Sequence, residues 1–187
     1  MSTDILPYPT GLTDGIVELR VHRDTDAAAL TEAVCESVDT VGRWQDWCHP
    51  AYDIDDARRW MDLCRKDWLL GDGYEMLIVE AGGGRLLGGV GVNQRNREQR
   101  FANLGYWVRE SAQHRGIATR AGRLAIEFAF RTVKIERLEI VAAQDNLPSR
   151  RTAERLGGIF EGILRKRLVV KNKSTDAAMY SLIREDL

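Results

Sequence analysis

The chain has 187 residues, 44% hydrophobic and 29% charged, the balance of a folded globular protein and a length that suits one domain over 1–187. Lys and Arg total 27 against 28 Asp and Glu, a net charge of −1. That balance excludes a polycation that coats nucleic acid, though not a local basic patch, so no nucleic-acid partner is expected.

In chain order, Ile16 to Val21 alternates apolar and polar positions and predicts a first strand. Asp24 or Thr25 can cap a helix carrying Ala27, Leu30, Val34, Val38 and Val41 at helical spacing. A loop with Trp44, Trp47 and Pro50 follows. Asp53 to Leu70 predicts a second helix with Ala57, Trp60, Met61, Cys64 and Trp68 on one face, and Trp60 and Trp68 are expected in the core. Strands are predicted over Glu75–Ala81, Leu86–Asn93 and Ala102–Val108, separated by Gly82-Gly83-Gly84 and an Arg- and Asn-rich turn. Gly116 to Val133 gives the clearest helix, striped by Ile117, Ala121, Leu124, Ala125 and Phe128. Arg137–Ala143 is a strand, and Pro148 opens a helix that Gly157-Gly158 closes. Phe160–Val170 and Ala177–Ile183 follow as strands joined by a turn at Asn172-Lys173-Ser174-Thr175. The order β-α-α-β-β-β-α-β-α-β-β predicts an α/β (α+β) fold on a mixed sheet.

Cys35, Cys48 and Cys64 contain no C-x-x-C pair, which argues against a disulfide framework and for a reducing compartment. Cys48 and His49 are adjacent, but no second cluster at zinc spacing accompanies them, so no metal is expected. MSTDILPYPT has no basic region ahead of an apolar stretch, and no run approaches ~18 apolar residues. Neither a secretory leader nor a membrane contact is expected, and the predicted location is cytoplasmic.

Two stretches carry chemistry. In the first, Gly105-Tyr106-Trp107-Val108 ends a strand, and Gln113-His114-Arg115-Gly116-Ile117-Ala118-Thr119 turns into a helix at a glycine. Such a helix start presents unpaired N–H groups and the positive end of the dipole, which suits a pyrophosphate. An ordinary strand–turn–helix would carry the same glycine. Arg115 and Arg120 add positive charge. In the second, Asp145-Asn146-Leu147-Pro148-Ser149-Arg150-Arg151 ends a strand and opens a helix, where Asn146 and Ser149 are either local caps or ligand contacts. Gly88-Gly89-Val90-Gly91 lacks the third glycine of a dinucleotide fingerprint, and no Gly-Lys-Ser/Thr follows any loop. Those glycines are expected to make room for a packed neighbour or a bulge.

Together these pieces resemble the GCN5-related N-acetyltransferase (GNAT) superfamily, in its ribosomal-protein N-terminal acetyltransferase-like (RimJ/RimL-type) branch, over nearly the whole chain. The family phosphate loop, Gln/Arg-x-x-Gly-x-Gly/Ala, is matched by Gln113 to Ala118. The branch's Gly-Tyr-Trp is matched by Gly105 to Trp107, and its Asn-x-x-Ser-Arg by Asn146 to Arg150. Gly157 to Phe160, Glu161 to Arg165, and Asp176 follow in the family's order. The resemblance implies a mostly antiparallel sheet that splits into a V between Leu104–Val108 and Leu138–Ala143, with acetyl-CoA as co-substrate in the split. The pyrophosphate would rest on Arg115, Gly116, Ile117, Ala118 and Thr119, behind Gln113. The pantetheine arm would run along Trp107 and Val108 and meet Asn146. The Val108 N–H would face the acetyl carbonyl as an oxyanion donor, and Ser149 would protonate the departing thiolate. An amine would attack directly, without an acyl-enzyme. Many relatives dimerise, so a homodimer is an expectation.

The general base departs from the family pattern. Asn103 stands where many relatives carry Glu, and Leu168 where some N-terminal acetyltransferases carry another; Glu75 and Asp46 are the remaining candidates. The loop Gly42–Pro50 corresponds to one that lines the acceptor pocket in the superfamily. Trp44 and Trp47 therefore either wall that pocket, favouring a cation, or anchor the loop in the core. The expected function is transfer of an acetyl group to a primary amine, on a protein N-terminus or a small molecule. The alternative is a catalytically degenerate acetyl-CoA-binding sensor, supported by the two missing carboxylates. A nucleotide-dependent oxidoreductase is disfavoured by the failed fingerprints. Along the chain the charges separate: residues 1–75 carry 7 basic against 16 acidic side chains, 109–123 carry 4 Arg against Glu110, and 148–173 carry 8 basic against 2 acidic. The basic stretches coincide with the expected cofactor site, which predicts that CoA binding weakens with salt.

Overall fold

The computed structural model describes residues 5–186; Met1 to Asp4, part of the stretch read for a leader, lie outside the described residues. The strands are β1 (Leu12–Thr13), β2 (Val17–Arg20), β3 (Tyr74–Glu80), β4 (Leu86–Asn96), β5 (Phe101–Val108), β6 (Arg137–Ala143), β7 (Ile159–Val170) and β8 (Lys173–Ile183). The helices are α1 (Ala27–Glu36), α2 (Ile54–Leu70), α3 (Ile117–Phe128) and α4 (Leu147–Arg155). One sheet holds all eight strands in the order β1-β2-β3-β4-β5-β6-β8-β7. Neighbours are antiparallel except β5 and β6, which are parallel. This is the mixed, mostly antiparallel sheet expected. β1, at 2 residues, is too short to show an alternation in the sequence.

Local chemistry sets the boundaries. α1 stops at Glu36, short of Val41, because Ser37 diverts the backbone. The Ser37 Oγ donates to Ala33 O at 2.6 Å, and its carbonyl accepts from the N–H groups of Thr40, Val41 and Gly42, tightening the chain into a 3-10 turn. α2 begins on a reciprocal cap between Asp53 and Asp56 and ends at Gly71, whose φ of 69° only a glycine adopts freely. The last hairpin turns at Lys171 and Asn172, with φ of 49° and 59°, and Val170 pairs with Lys173. β8 therefore begins at Lys173, earlier than the predicted Ala177.

Strand parity sorts two cores. Tyr74, Met76 and Ile78 of β3 face α3, where they join Leu104, Ile126, Phe128 and Leu138; Trp68 closes that core and donates Nε1–H to Leu6 O at 2.8 Å. Leu77 and Val79 face the opposite way, onto Leu30, Val34 and Met61 of α1 and α2. Each large side chain buried in this way contributes about 1.5–3 kcal/mol. Glu75 shares the parity of Leu77 and Val79, so it enters the α1–α2 side.

β5 and β6 pair only at Phe101↔Arg137, Ala102↔Leu138 and Asn103↔Glu139. Beyond that, β5 follows β4 to Val108 and β6 follows β8 to Ala143. The sheet therefore opens as the expected V, but from Ile140 rather than Leu138.

Candidate active site

The N–H of Arg109 donates to Leu87 O at 2.9 Å, and the register Trp107↔Gly89, Gly105↔Gly91 is unbroken. Alternation in an antiparallel ladder ties the Trp107 backbone to β4 and turns the N–H groups of Tyr106 and Val108 toward the split. Val108 is thereby left without a β4 partner for its N–H. Its carbonyl accepts from Gln113 Nε2 at 3.0 Å, and the same amide reaches Thr40 Oγ1 at 3.2 Å. The Gln113 N–H is itself spent on Glu110 O. Gln113 therefore shapes the loop and offers no free donor to a phosphate.

Gly116 caps α3 at φ 75°, where a side chain would be strained. The helix's first backbone bond runs from Arg120 N–H to Gly116 O, and among the described residues no protein acceptor takes the N–H groups of Arg115, Gly116, Ile117, Ala118 or Thr119. These five donors and the helix dipole form a cradle for an anion. Arg115 is exposed beside it. Arg120 is engaged, with Nη1 2.7 Å from Asp14 Oδ2. Arg109 is buried between Glu32 and Glu36, fixing the end of β5 to α1 and holding the Glu36 carboxyl down to about 2.

Across the split, Asn146 Oδ1 accepts from Ser149 N–H at 3.2 Å and caps α4, leaving its amide N–H groups available. Ser149 Oγ donates to the Tyr106 hydroxyl at 3.4 Å, and that hydroxyl donates to Ser149 O at 2.9 Å. Burial pushes the Tyr106 phenol up to about 12. In the sequence Tyr106 is only the middle of the Gly-Tyr-Trp motif; its contact with Ser149 gives it a place at the split.

A cavity of about 580 Å³ adjoins the split, running from the α1–α2 loop across β3, β4 and β5 to β6 and β7. Trp47 lines it, edge to face with Trp107 at 5.4 Å. Trp44 lies outside the lining, because it closes the 3-10 turn that ends at Arg43. Trp60, expected in the core, is half-buried; it lines the cavity and packs edge to face on His22 at 4.7 Å, a ring that burial pushes down to about 4. Asp46 is also outside: its Oδ1 accepts the Lys171 N–H at 2.9 Å and pins the α1–α2 loop to the β7–β8 hairpin.

Glu75 does line the cavity, together with Asn103 and Leu168. Its carboxylate occupies the space above Gly91, where a Cβ would lie 1.9 Å from Oε2. Gly89 likewise makes room, here for the Trp107 indole, as expected of these glycines. Glu75 Oε1 accepts from Asn93 Nδ2 at 2.7 Å, and Asn93 Oδ1 accepts from Asn103 Nδ2 at 2.9 Å. Burial raises the Glu75 carboxyl above the usual carboxylate range, against the Asn93 hydrogen bond. Asn103 is thus one end of an amide relay to a carboxylate two strands away. Asn93 was missed from the sequence because only the cross-strand register Asn93↔Asn103 connects it. Among the described residues no cluster of three or more His, Cys, Asp or Glu is placed to hold a metal ion, and no helix is long and apolar enough to cross a membrane.

A split parallel strand pair with a bare helix N-terminus at its open end defines a class, and comparison agrees. Residues 17–159 match the acetyltransferase (GNAT) domain family, and the chain belongs to it as an acetyltransferase of GNAT type. The "Putative ribosomal N-acetyltransferase YdaF" of Bacillus subtilis (strain 168) is 28% identical over 173 residues, covering 91% of this chain and 92% of that one. The ribosomal-protein-serine acetyltransferase of Escherichia coli (strain K12) is 28% identical over 111 residues, 59% of this chain and 62% of that one. The structure of Mycobacterium smegmatis RimJ in complex with CoA-disulfide superposes with a TM-score of 0.84 at 25% identity, covering 97% of this chain and 87% of that one. The chain's relatives are thus of the RimJ/RimL type.

Proposed function

We propose that the protein transfers an acetyl group from acetyl-CoA to a primary amine by direct attack on the thioester. The observation that carries this reading is the divergence of β5 from β6. It leaves a strand edge unpaired, with five open N–H groups at one end and a desolvated carboxylate in the adjoining cavity. The donor fits this space: the α3 N-terminus suits its pyrophosphate, and the β5 edge and the Asn146 amide suit the amide-bearing pantetheine arm. Bound there, acetyl-CoA supplies the activated acyl group.

The chain's own residues do the rest. The Val108 N–H points to where negative charge builds on the acyl oxygen. Glu75 takes the proton that an ammonium must lose before it attacks, a task helped by its raised pKa. An α-amine near ~8 asks less of this base than a lysine amine near ~10.4. Asn93 holds one Glu75 oxygen and leaves the other without a protein donor among the described residues. Ser149, beside the Tyr106 hydroxyl, protonates the departing thiolate. Trp47 and Trp107 pack edge to face along one wall of the site. The acceptor is a protein N-terminus, as the relatives' names indicate, or a small-molecule amine, met in the cytoplasm.

Thiol release from acetyl-CoA, followed across α-amines, lysine peptides and polyamines, tests this reading. Turnover above background hydrolysis on at least one amine class is expected. Tight acetyl-CoA binding without turnover on any amine would instead favour a binding module, the reading supported by Asn103 and Leu168 at the cavity wall.

A further inference from the structure

β7 does not follow β8 throughout. Their ladder reaches Leu164↔Ala177, breaks, and resumes at Leu168↔Thr175. Arg165, Lys166 and Arg167 lie in the gap with only Asp176 opposite them. Asp176 Oδ1 accepts the Lys166 N–H at 2.8 Å, and Lys166 sits at φ 50°. A bulge of this kind re-aims side chains. Here the outcome is specific: Arg167 and Leu168 are adjacent residues that a regular strand would send to opposite faces, yet both line the cavity.

The charges of the cavity then divide. Its carboxylates are Asp56 and Glu75 and its guanidiniums Arg59 and Arg167, with the His49 imidazole on the same wall as Asp56. Asp56 and Arg59 pair with each other. Glu75 has only the Asn93 amide, and Arg167, exposed at the cavity rim, has no side-chain or backbone acceptor among the described residues. Glu75 lies on β3 and Arg167 on β7, on opposite sides of the split in the strand order. One cavity therefore presents an unmatched negative group on one side and an unmatched positive group on the other.

We propose that the acceptor is an amine that also carries an anionic group, a carboxylate or a phosphate, and that Arg167 binds that group while the amine is directed to Glu75. This rests on the transferase reading above. A guanidinium meets either anion through paired N–H donors. A neutral monoamine leaves Arg167 unmatched, and a polyamine sets a second cation against it, a like-charge contact that disfavours binding.

The test compares matched acceptors with acetyl-CoA: the C-terminal amides of glycyl-glutamate and glycyl-glutamine for the carboxylate arm, and phosphoethanolamine against ethanolamine for the phosphate arm. Wild type is expected to prefer the anionic member in kcat/KM, and the arm with the larger preference identifies the anion. Arg167→Gln is expected to reduce that preference about tenfold, mainly through KM, with Arg167→Lys restoring part of it. Lys173→Gln removes a charge from the same hairpin outside the cavity lining and is expected to keep the preference. Equal kcat/KM for the members of both pairs, or a preference unchanged in Arg167→Gln, would overturn the proposal. If wild type acetylates no amine, the transferase reading fails, and equilibrium titration of the same compounds decides this one. Binding of an anionic amine that weakens about tenfold in Arg167→Gln sustains it; no binding, or equal binding by both proteins, overturns it.

Discussion

Glu75 occupies a position where strand parity calls for an apolar side chain, and the fold is strained electrostatically by holding it there. Burial raises its pKa. Between the ordinary glutamate value near ~4.3 and the raised one, the folded chain keeps a proton that the unfolded chain has lost. Stability therefore falls as pH rises through that window and stays lower above it. Glu75→Gln removes the penalty and the base together. The variant is expected to melt higher than wild type near neutral pH while kcat drops roughly 10²–10⁴-fold. The acid limb of the kcat/KM profile, lying above the usual carboxylate range in wild type, should vanish. Melting curves and a pH–rate profile check this, and an unchanged kcat would remove Glu75 from the chemistry. The sequence offers Glu75 and Asp46 as equal leftovers. What separates them is a partner for each, the Lys171 N–H for Asp46 and the Asn93–Asn103 relay for Glu75. Neither partner lies close along the chain.

At the scale of elements, β4 is thinned where its neighbours need volume. A Cβ at Gly91 would meet only the end of the Glu75 side chain, whereas one at Gly88 would lie 2.1 Å from the Trp107 carbonyl oxygen. Gly91→Ala is accordingly expected to fold, with a stability loss near ~1 kcal/mol, but to displace the carboxylate from Asn93 and lower kcat by about 10²-fold. Circular dichroism melts and steady-state rates separate the two effects; wild-type kcat in this variant would mean that the carboxylate's position is immaterial. Helices and strands were legible wherever periodicity and caps coincide, as in α2 between Asp53 and Gly71. The end of α1 was not, because Ser37 acts through its side chain and carbonyl rather than through a break in pattern. The start of the V was not legible either, since it depends on how far two distant strands agree in direction, which is a property of the pair.

For the whole molecule, the separation of charge along the chain is real in sequence but partly cancelled in space. The α2 acids Asp55, Asp56 and Asp62 pair with Arg58, Arg59 and Arg65 one turn on, contacts that water and salt largely screen. Of the four arginines in 109–123, Arg109 and Arg120 are taken up by Glu32, Glu36 and Asp14. An anion held at the α3 N-terminus would thus rest mainly on backbone N–H groups, which are fixed and poorly screened. CoA affinity measured by calorimetry is expected to fall by less than about tenfold between 50 and 500 mM salt. A much steeper decline would assign the binding to the exposed basic side chains of 148–173 instead. β7 shows a different economy. It is the last strand of the sheet, 12 residues long, with Ile159, Phe160, Ile163, Leu164 and Val169 exposed. An edge of that length and composition is a template on which foreign strands add and fibrils begin. The Arg165–Arg167 bulge interrupts the ladder and sets three exposed positive charges at the break. The same irregularity that brings Arg167 to the cavity rim guards the sheet edge against misassembly.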